Sequence, residues 1–156
     1  MNKSSLPTGL KDALGALLED HRKVNKLFGD FEKAKTSEEK AEIARTVCNE
    51  LTVHAMLEEE LFYPAVREID PEKFGDLLDE AKVEHATAKD LIAQIEAMGP
   101  DDELFDAKVT VLGEYVKHHV KEEEEELFPK LVAEKCDLRP IAEKMEARRP
   151  ALSQVA

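Results

Sequence analysis

The chain has 156 residues, 42% of them hydrophobic, 37% charged and 5% aromatic, with no tryptophan and a formal net charge of −13. That length suits a single domain over residues 1–156 with one core, and the composition suits a mostly helical fold rather than a β-sandwich or a disordered chain. A surface this acidic repels phosphate backbones and anionic lipid, so neither nucleic acid nor membrane is expected as a partner.

The N-terminal stretch MNKSSLPTGLKDALG lacks the apolar core of a signal peptide, and no run reaches membrane-spanning length. Cys48 and Cys136 form neither a CxxC pair nor a disulfide framework. A reducing, cytoplasmic setting is the expectation.

Apolar residues at three- and four-residue steps predict a first helix over about 10–34, with Leu14, Leu17, Leu18, Val24, Leu27, Phe28 and Phe31 facing inward. A second, over about 38–68, follows AKTSEE with Ser37 as its cap and rests on Val47, Leu51, Leu61 and Ala65. A third, over about 72–98, starts behind Asp70-Pro71 and presents Phe74, Leu78, Ala81, Ala88, Ile92 and Ile95. The fourth runs over about 102–135, after the Gly99-Pro100 stop, on Phe105, Val109, Leu112, Val116 and Leu127. Connections this short force neighbouring helices antiparallel, giving an all-α, up-down-up-down four-helix bundle over about 10–135. A short extra helix in the tail, residues 136–156, runs from about 138 to 148 and is closed by Pro150.

Polar residues interrupt each apolar stripe. His21 lies on the first, His54 and Glu58 on the second, His85 on the third, and His119 and Glu123 on the fourth. Buried carboxylates near one another are costly unless something positive offsets them. The midpoint of each successive pair of histidines falls in a predicted turn, near residues 37, 69 and 102, so all four lie in one layer of an antiparallel bundle. Each glutamate follows its histidine by four residues and shares its face. HAMLEEELFYP from His54 and HVKEEEEELFP from His119 are near-copies, each closing on a proline ten residues after the histidine. Two similar halves imply a pseudo-twofold site for two metals with the glutamates between them. The shared proline and the seam select His119 with Glu123 over His118 with Glu122. Glu59, Glu60, Glu122, Glu124, Glu125 and Glu126 read as a solvated acidic face.

His21, His54-x3-Glu58, His85 and His119-x3-Glu123, within LEDHRKV, HAMLEEELFYP, EHATAKDL and HVKEEEEELFP, resemble the hemerythrin-like HHE cation-binding domain over about 10–131. The resemblance implies two iron ions inside the bundle, each held by two histidines, bridged by both carboxylates and by an oxo or hydroxo group. Five ligands per iron leave one position on each. Oxygen-carrying hemerythrin has a further histidine four residues along the third helix, where this chain has Lys89. Asymmetric oxygen carriage is therefore not implied, and chemistry across both irons is. Glu50 and Tyr115, each one turn before a ligand histidine, are additional candidates to touch the metal or a histidine.

The function expected is a non-haem di-iron protein that binds or reacts with dioxygen, peroxide or nitric oxide. As an enzyme it would disproportionate peroxide in a catalase-like way. The alternatives are an iron or oxygen store or sensor, or a bundle holding zinc or another metal without redox activity. A metal-free interaction module is disfavoured by the buried carboxylates. No Ser-His-Asp arrangement, glycine-rich phosphate loop or basic patch supports hydrolysis or nucleotide binding. A monomer or weak dimer is expected.

Overall fold

A computed structural model describes residues 1–153. After a 3₁₀ turn at Lys3–Ser5 comes α1, Thr8–Lys33. The second helix, α2, is one rod in three parts: Ser37–Leu57, a π turn at Glu58–Phe62, and Tyr63–Ile69. Helix α3 spans Pro71–Glu96. Helix α4 repeats the plan of α2, with Phe105–Glu122, a π turn at Glu123–Leu127 and Phe128–Glu134. The extra helix, α5, spans Arg139–Ser153 and packs on α1 and α2. The architecture is the all-α bundle with a C-terminal addition, and among the described residues no helix is long and apolar enough to cross a membrane.

The helix ends follow local chemistry. Thr36, not Ser37, caps α2, its hydroxyl accepting the Glu39 N–H at 3.1 Å. Asp70 caps α3 by accepting from the Glu72 and Lys73 N–H groups, with Pro71 in the first turn where no donor is needed. Asp102 does not begin α4: its carboxylate accepts the Gly99 N–H at 2.7 Å, which holds 99–104 as a turn and delays the helix to Phe105. Helix α5 continues through Pro150 instead of closing before it, because Leu152 is buried beyond the proline. Where the tail crosses α1, Leu138 donates its N–H to the Gly9 carbonyl at 2.9 Å. A Cβ on Gly9 would lie 3.0 Å from the Cys136 carbonyl oxygen, so this close crossing favours glycine.

The two π turns were not expected, and they rotate the inward face. Pro64 and Pro129 have no N–H to offer the carbonyl four residues back and their rings crowd it. In each copy the preceding turn is opened, with Tyr63 donating to the Glu58 carbonyl and Phe128 to that of Glu123. The extra residue shifts the stripe by one position. Phe62 and Val66 are fully buried, whereas Leu61 and Ala65, expected inside, are only partly so.

The core has two lobes. One gathers Leu10, Leu14, Leu17, Leu57, Phe62, Phe74, Phe128 and Leu131, together with Met145 and Leu152 of α5. The other holds Val24, Phe31, Val47, Leu51, Ile92, Phe105, Val109 and Leu112. The polar layer lies between them. Cys48 is buried in the second lobe, where burial pushes its thiol up to about 12, and both cysteines are free thiols.

Candidate metal centre

All six seam residues meet at that layer. Glu58 is 0% exposed and Glu123 2%; His21, His54 and His85 are buried and His119 nearly so. Every imidazole turns Nε2 inward. His85 Nε2 lies 3.1 Å from Glu58 Oε1 and 3.2 Å from His119 Nε2, and His119 Nε2 lies 3.1 Å from Glu123 Oε2. On the other side, His21 Nε2 is 3.1 Å from Glu123 Oε1, and His54 Nε2 is 3.3 Å from Glu58 Oε1. Glu123 thus offers one oxygen to each histidine pair, and Glu58 Oε1 lies between His54 and His85. Two donor sets result: His85, His119, Glu58 and Glu123, and His21, His54 and Glu123.

These spacings fit an ion. Donors about 2.1 Å from a common metal stand roughly 3.0–3.4 Å from each other in octahedral or tetrahedral array. Two atoms at the centre, His54 Nε2 and Glu58 Oε2, are buried without a hydrogen-bond partner, as unmade ligand bonds would be.

Each outward-facing Nδ1 meets its own carboxylate. His21 pairs with Glu124 at 2.9 Å, His54 with Asp20 at 2.9 Å, His85 with Glu59 at 3.0 Å and His119 with Glu84 at 2.8 Å. A carboxylate at Nδ1 keeps the proton there and leaves the Nε2 lone pair facing inward, as a metal-binding histidine requires. The ring of four obeys the internal repeat: Asp20 and Glu84 precede His21 and His85, and Glu59 and Glu124 follow Glu58 and Glu123. Glu59 and Glu124 are therefore not simply part of a solvated face. Glu60 pairs with Arg148, while His118, well exposed, pairs with Glu122 at 2.9 Å and lies 3.5 Å from Glu84.

One participant escaped the sequence reading. Tyr63 places its hydroxyl beside Glu123 Oε2, 3.1 Å from Glu58 Oε1 and 3.2 Å from His119 Nε2. Its ring backs His85, with centroids 5.5 Å apart, while Phe128 backs His21 at 6.2 Å. Tyr63 and Phe128 occupy equivalent places in the two copies, so one half of the centre has a phenol and the other does not. The aromatic before each proline was the signal, legible only once the π turn brings it under the glutamate.

Glu50 and Tyr115 do not reach the six. Glu50 takes Lys23 Nζ at 2.7 Å, and Tyr115, 45% exposed, makes no hydrogen bond to them. A four-residue step overshoots a turn by about 40°, so a residue four before the histidine falls on the opposite side of it from the glutamate four after, toward the flank of the bundle. Tyr115 instead helps line a cavity of about 50 Å³ that touches all four histidines and is otherwise walled mainly by Val24, Leu51, Ala88, Ile92, Val116 and Val120.

Without a metal the layer is a network of mutual charges. Burial works to lower the basicity of His54, but the charge of Glu58 and the Asp20 hydrogen bond outweigh it and raise its pKa to about 10. His119 is likewise raised against burial, chiefly by Glu123. Glu58 is held well below its ordinary range, the charge of His54 overcoming the burial penalty. The Tyr63 hydroxyl is raised, by burial first and then by Glu123 and Glu58. Cations entering here displace protons.

The sequence matches the Hemerythrin family, described as the hemerythrin HHE cation binding domain, over residues 12–131. A Nostoc sp. protein named DNA nickase is 37% identical over 109 residues, which is 70% of this chain and 30% of that protein. The chain thus spans under a third of that relative's length. Among solved structures, a hemerythrin HHE cation binding domain-containing protein from Mycobacterium kansasii, a homologue of Rv2633c, superposes with a TM-score of 0.74. That match covers 89% of this chain and 85% of the other at 23% identity, and speaks to the fold.

Proposed function

The chain belongs to the hemerythrin HHE cation-binding family, and from that premise we propose that it holds two iron ions and meets a small oxidant between them. The observation that carries this reading is the pair of histidine sets sharing Glu123, opening on one small apolar cavity. His21 and His54 would hold one ion, His85 and His119 the other, with Glu58 and Glu123 between and the Tyr63 oxygen available to the second. Imidazole with a few carboxylates suits iron, and also zinc or manganese.

A cavity of about 50 Å³ falls well short of the roughly 150 Å³ that admits a benzene ring. It therefore suits dioxygen, nitric oxide or peroxide better than an organic substrate. Bound iron would supply the electron exchange of peroxide disproportionation, in which two peroxides give one dioxygen and two waters. The chain's own part is to fix four Nε2 lone pairs through the outer carboxylates, to set the Tyr63 oxygen beside Glu58 and Glu123, and to line the approach with valine and isoleucine side chains.

We assign the resemblance to the nickase to the metal-binding bundle and not to action on DNA. Against DNA stand 35 acidic residues to 22 basic ones. Iron-loaded protein should evolve oxygen from added peroxide, and His54→Ala should lose at least tenfold of that rate. A loaded wild type that evolves no oxygen yet takes up nitric oxide or dioxygen reversibly would replace the enzyme with a binder or sensor.

A further inference from the structure

The C-terminal helix α5 lies outside the residues that match the family, and it reaches the candidate centre by two consecutive arginines. Arg149 Nη2 donates to Asp20 Oδ2 at 2.9 Å, and the same oxygen is 2.9 Å from His54 Nδ1. Arg148 grips Glu60 through Nε at 2.9 Å and Nη2 at 3.3 Å, and Glu60 sits in the π turn that carries Glu58. Neighbouring side chains on a helix diverge by about 100°, so one arginine reaches α1 and the other α2.

The anchorage is firm. Leu138, Met145 and Leu152 are buried in the lobe that also holds Leu57 and Phe62. Asp20 is largely shielded, with 12% of its side chain exposed, so the guanidinium offsets a carboxylate that little water reaches. In the other half the cation comes from the bundle itself: Lys89 of α3 donates to Glu59, the carboxylate behind His85, at 2.8 Å, and among the described residues α5 makes no such contact there. At the place equivalent to Asp20, Glu84 has the exposed His118 at 3.5 Å and Glu122 nearby, and no arginine among the described residues.

We propose that α5 is a positioning clamp for the His21–His54 half of the metal centre, with Arg149 holding Asp20 so that Asp20 holds His54. This rests on the two-ion reading above. The clamp bears on one ion: loosening it weakens that one and leaves the other. A carboxylate that orients a ligand histidine typically carries a 10- to 100-fold effect on affinity.

The test uses the full chain with ferrous iron added anaerobically, followed as equivalents bound, with Mössbauer spectra of the ⁵⁷Fe-loaded, oxidised protein. Wild type should bind two equivalents. Arg149→Met should bind one as wild type does and the second at least about tenfold more weakly, with one Mössbauer doublet altered. Arg149→Lys, which keeps the charge, should recover much of that loss. Two equivalents bound by Arg149→Met with wild-type affinity and unchanged doublets would overturn the clamp while leaving the two-ion reading standing. Equal weakening of both ions would reduce α5 to a general support and overturn it as well. Fewer than two equivalents in the wild type would overturn the two-ion reading, and the clamp with it.

Discussion

Tyr63 and Phe128 stand at equivalent places and differ by one oxygen, and that atom breaks the symmetry of the layer. The phenol is buried among Glu58, Glu123, His85 and His119. Ferric iron beside it would draw off its proton, and iron-bound phenolate absorbs visible light. Tyr63→Phe should therefore bleach a visible band of the iron-loaded protein while leaving two ions per chain. A spectrum unchanged in Tyr63→Phe would place the phenol off the metal. The six seam residues were legible in the sequence because each replaces an apolar residue at a seam position, a substitution that burial makes expensive. The outer carboxylates were not, since Glu59 and Glu124 sit in acidic runs whose composition gives no clue that one member turns inward.

At the scale of the element, the four long helices, their antiparallel order and the extra tail helix all followed from apolar periodicity and short turns. What periodicity could not give was the register beyond Pro64 and Pro129, because a π turn has no signature in a pattern of three- and four-residue steps. The shift makes a testable inversion. Phe62→Ala should destabilise the fold by about 3–5 kcal/mol, the range for a buried aromatic, and Leu61→Ala by clearly less. A continuous α-helix through this region would make Leu61 the costlier position. Urea unfolding of the two metal-free variants distinguishes these outcomes.

Across the whole molecule, a charged layer between two apolar lobes ties stability to pH and to metal. His54 gains its proton on folding, from an ordinary value of 6.5 up to about 10, so its contribution is complete below pH 6.5 and is lost as pH rises through about 10. Glu58 has its folded value pushed below the ordinary 4.5, so its contribution is present above that value and fades as pH falls further. The metal-free fold should be steadiest between about pH 4.5 and 6.5, read as the melting temperature across that range. Metal uptake should run the other way. Cations compete with protons on His54 and His119, so affinity should rise from pH 6 to 9 and loading should acidify a weakly buffered solution. Loading without proton release would mean that the histidines are already neutral in the metal-free chain.

The central claim is that the layer holds two irons. The most direct measurement is elemental analysis of the untagged protein purified in air without added metal, expressed as atoms per chain. About two irons per chain are predicted. A single zinc, or almost no metal in folded protein, would contradict the di-iron account and leave the bundle without its proposed chemistry.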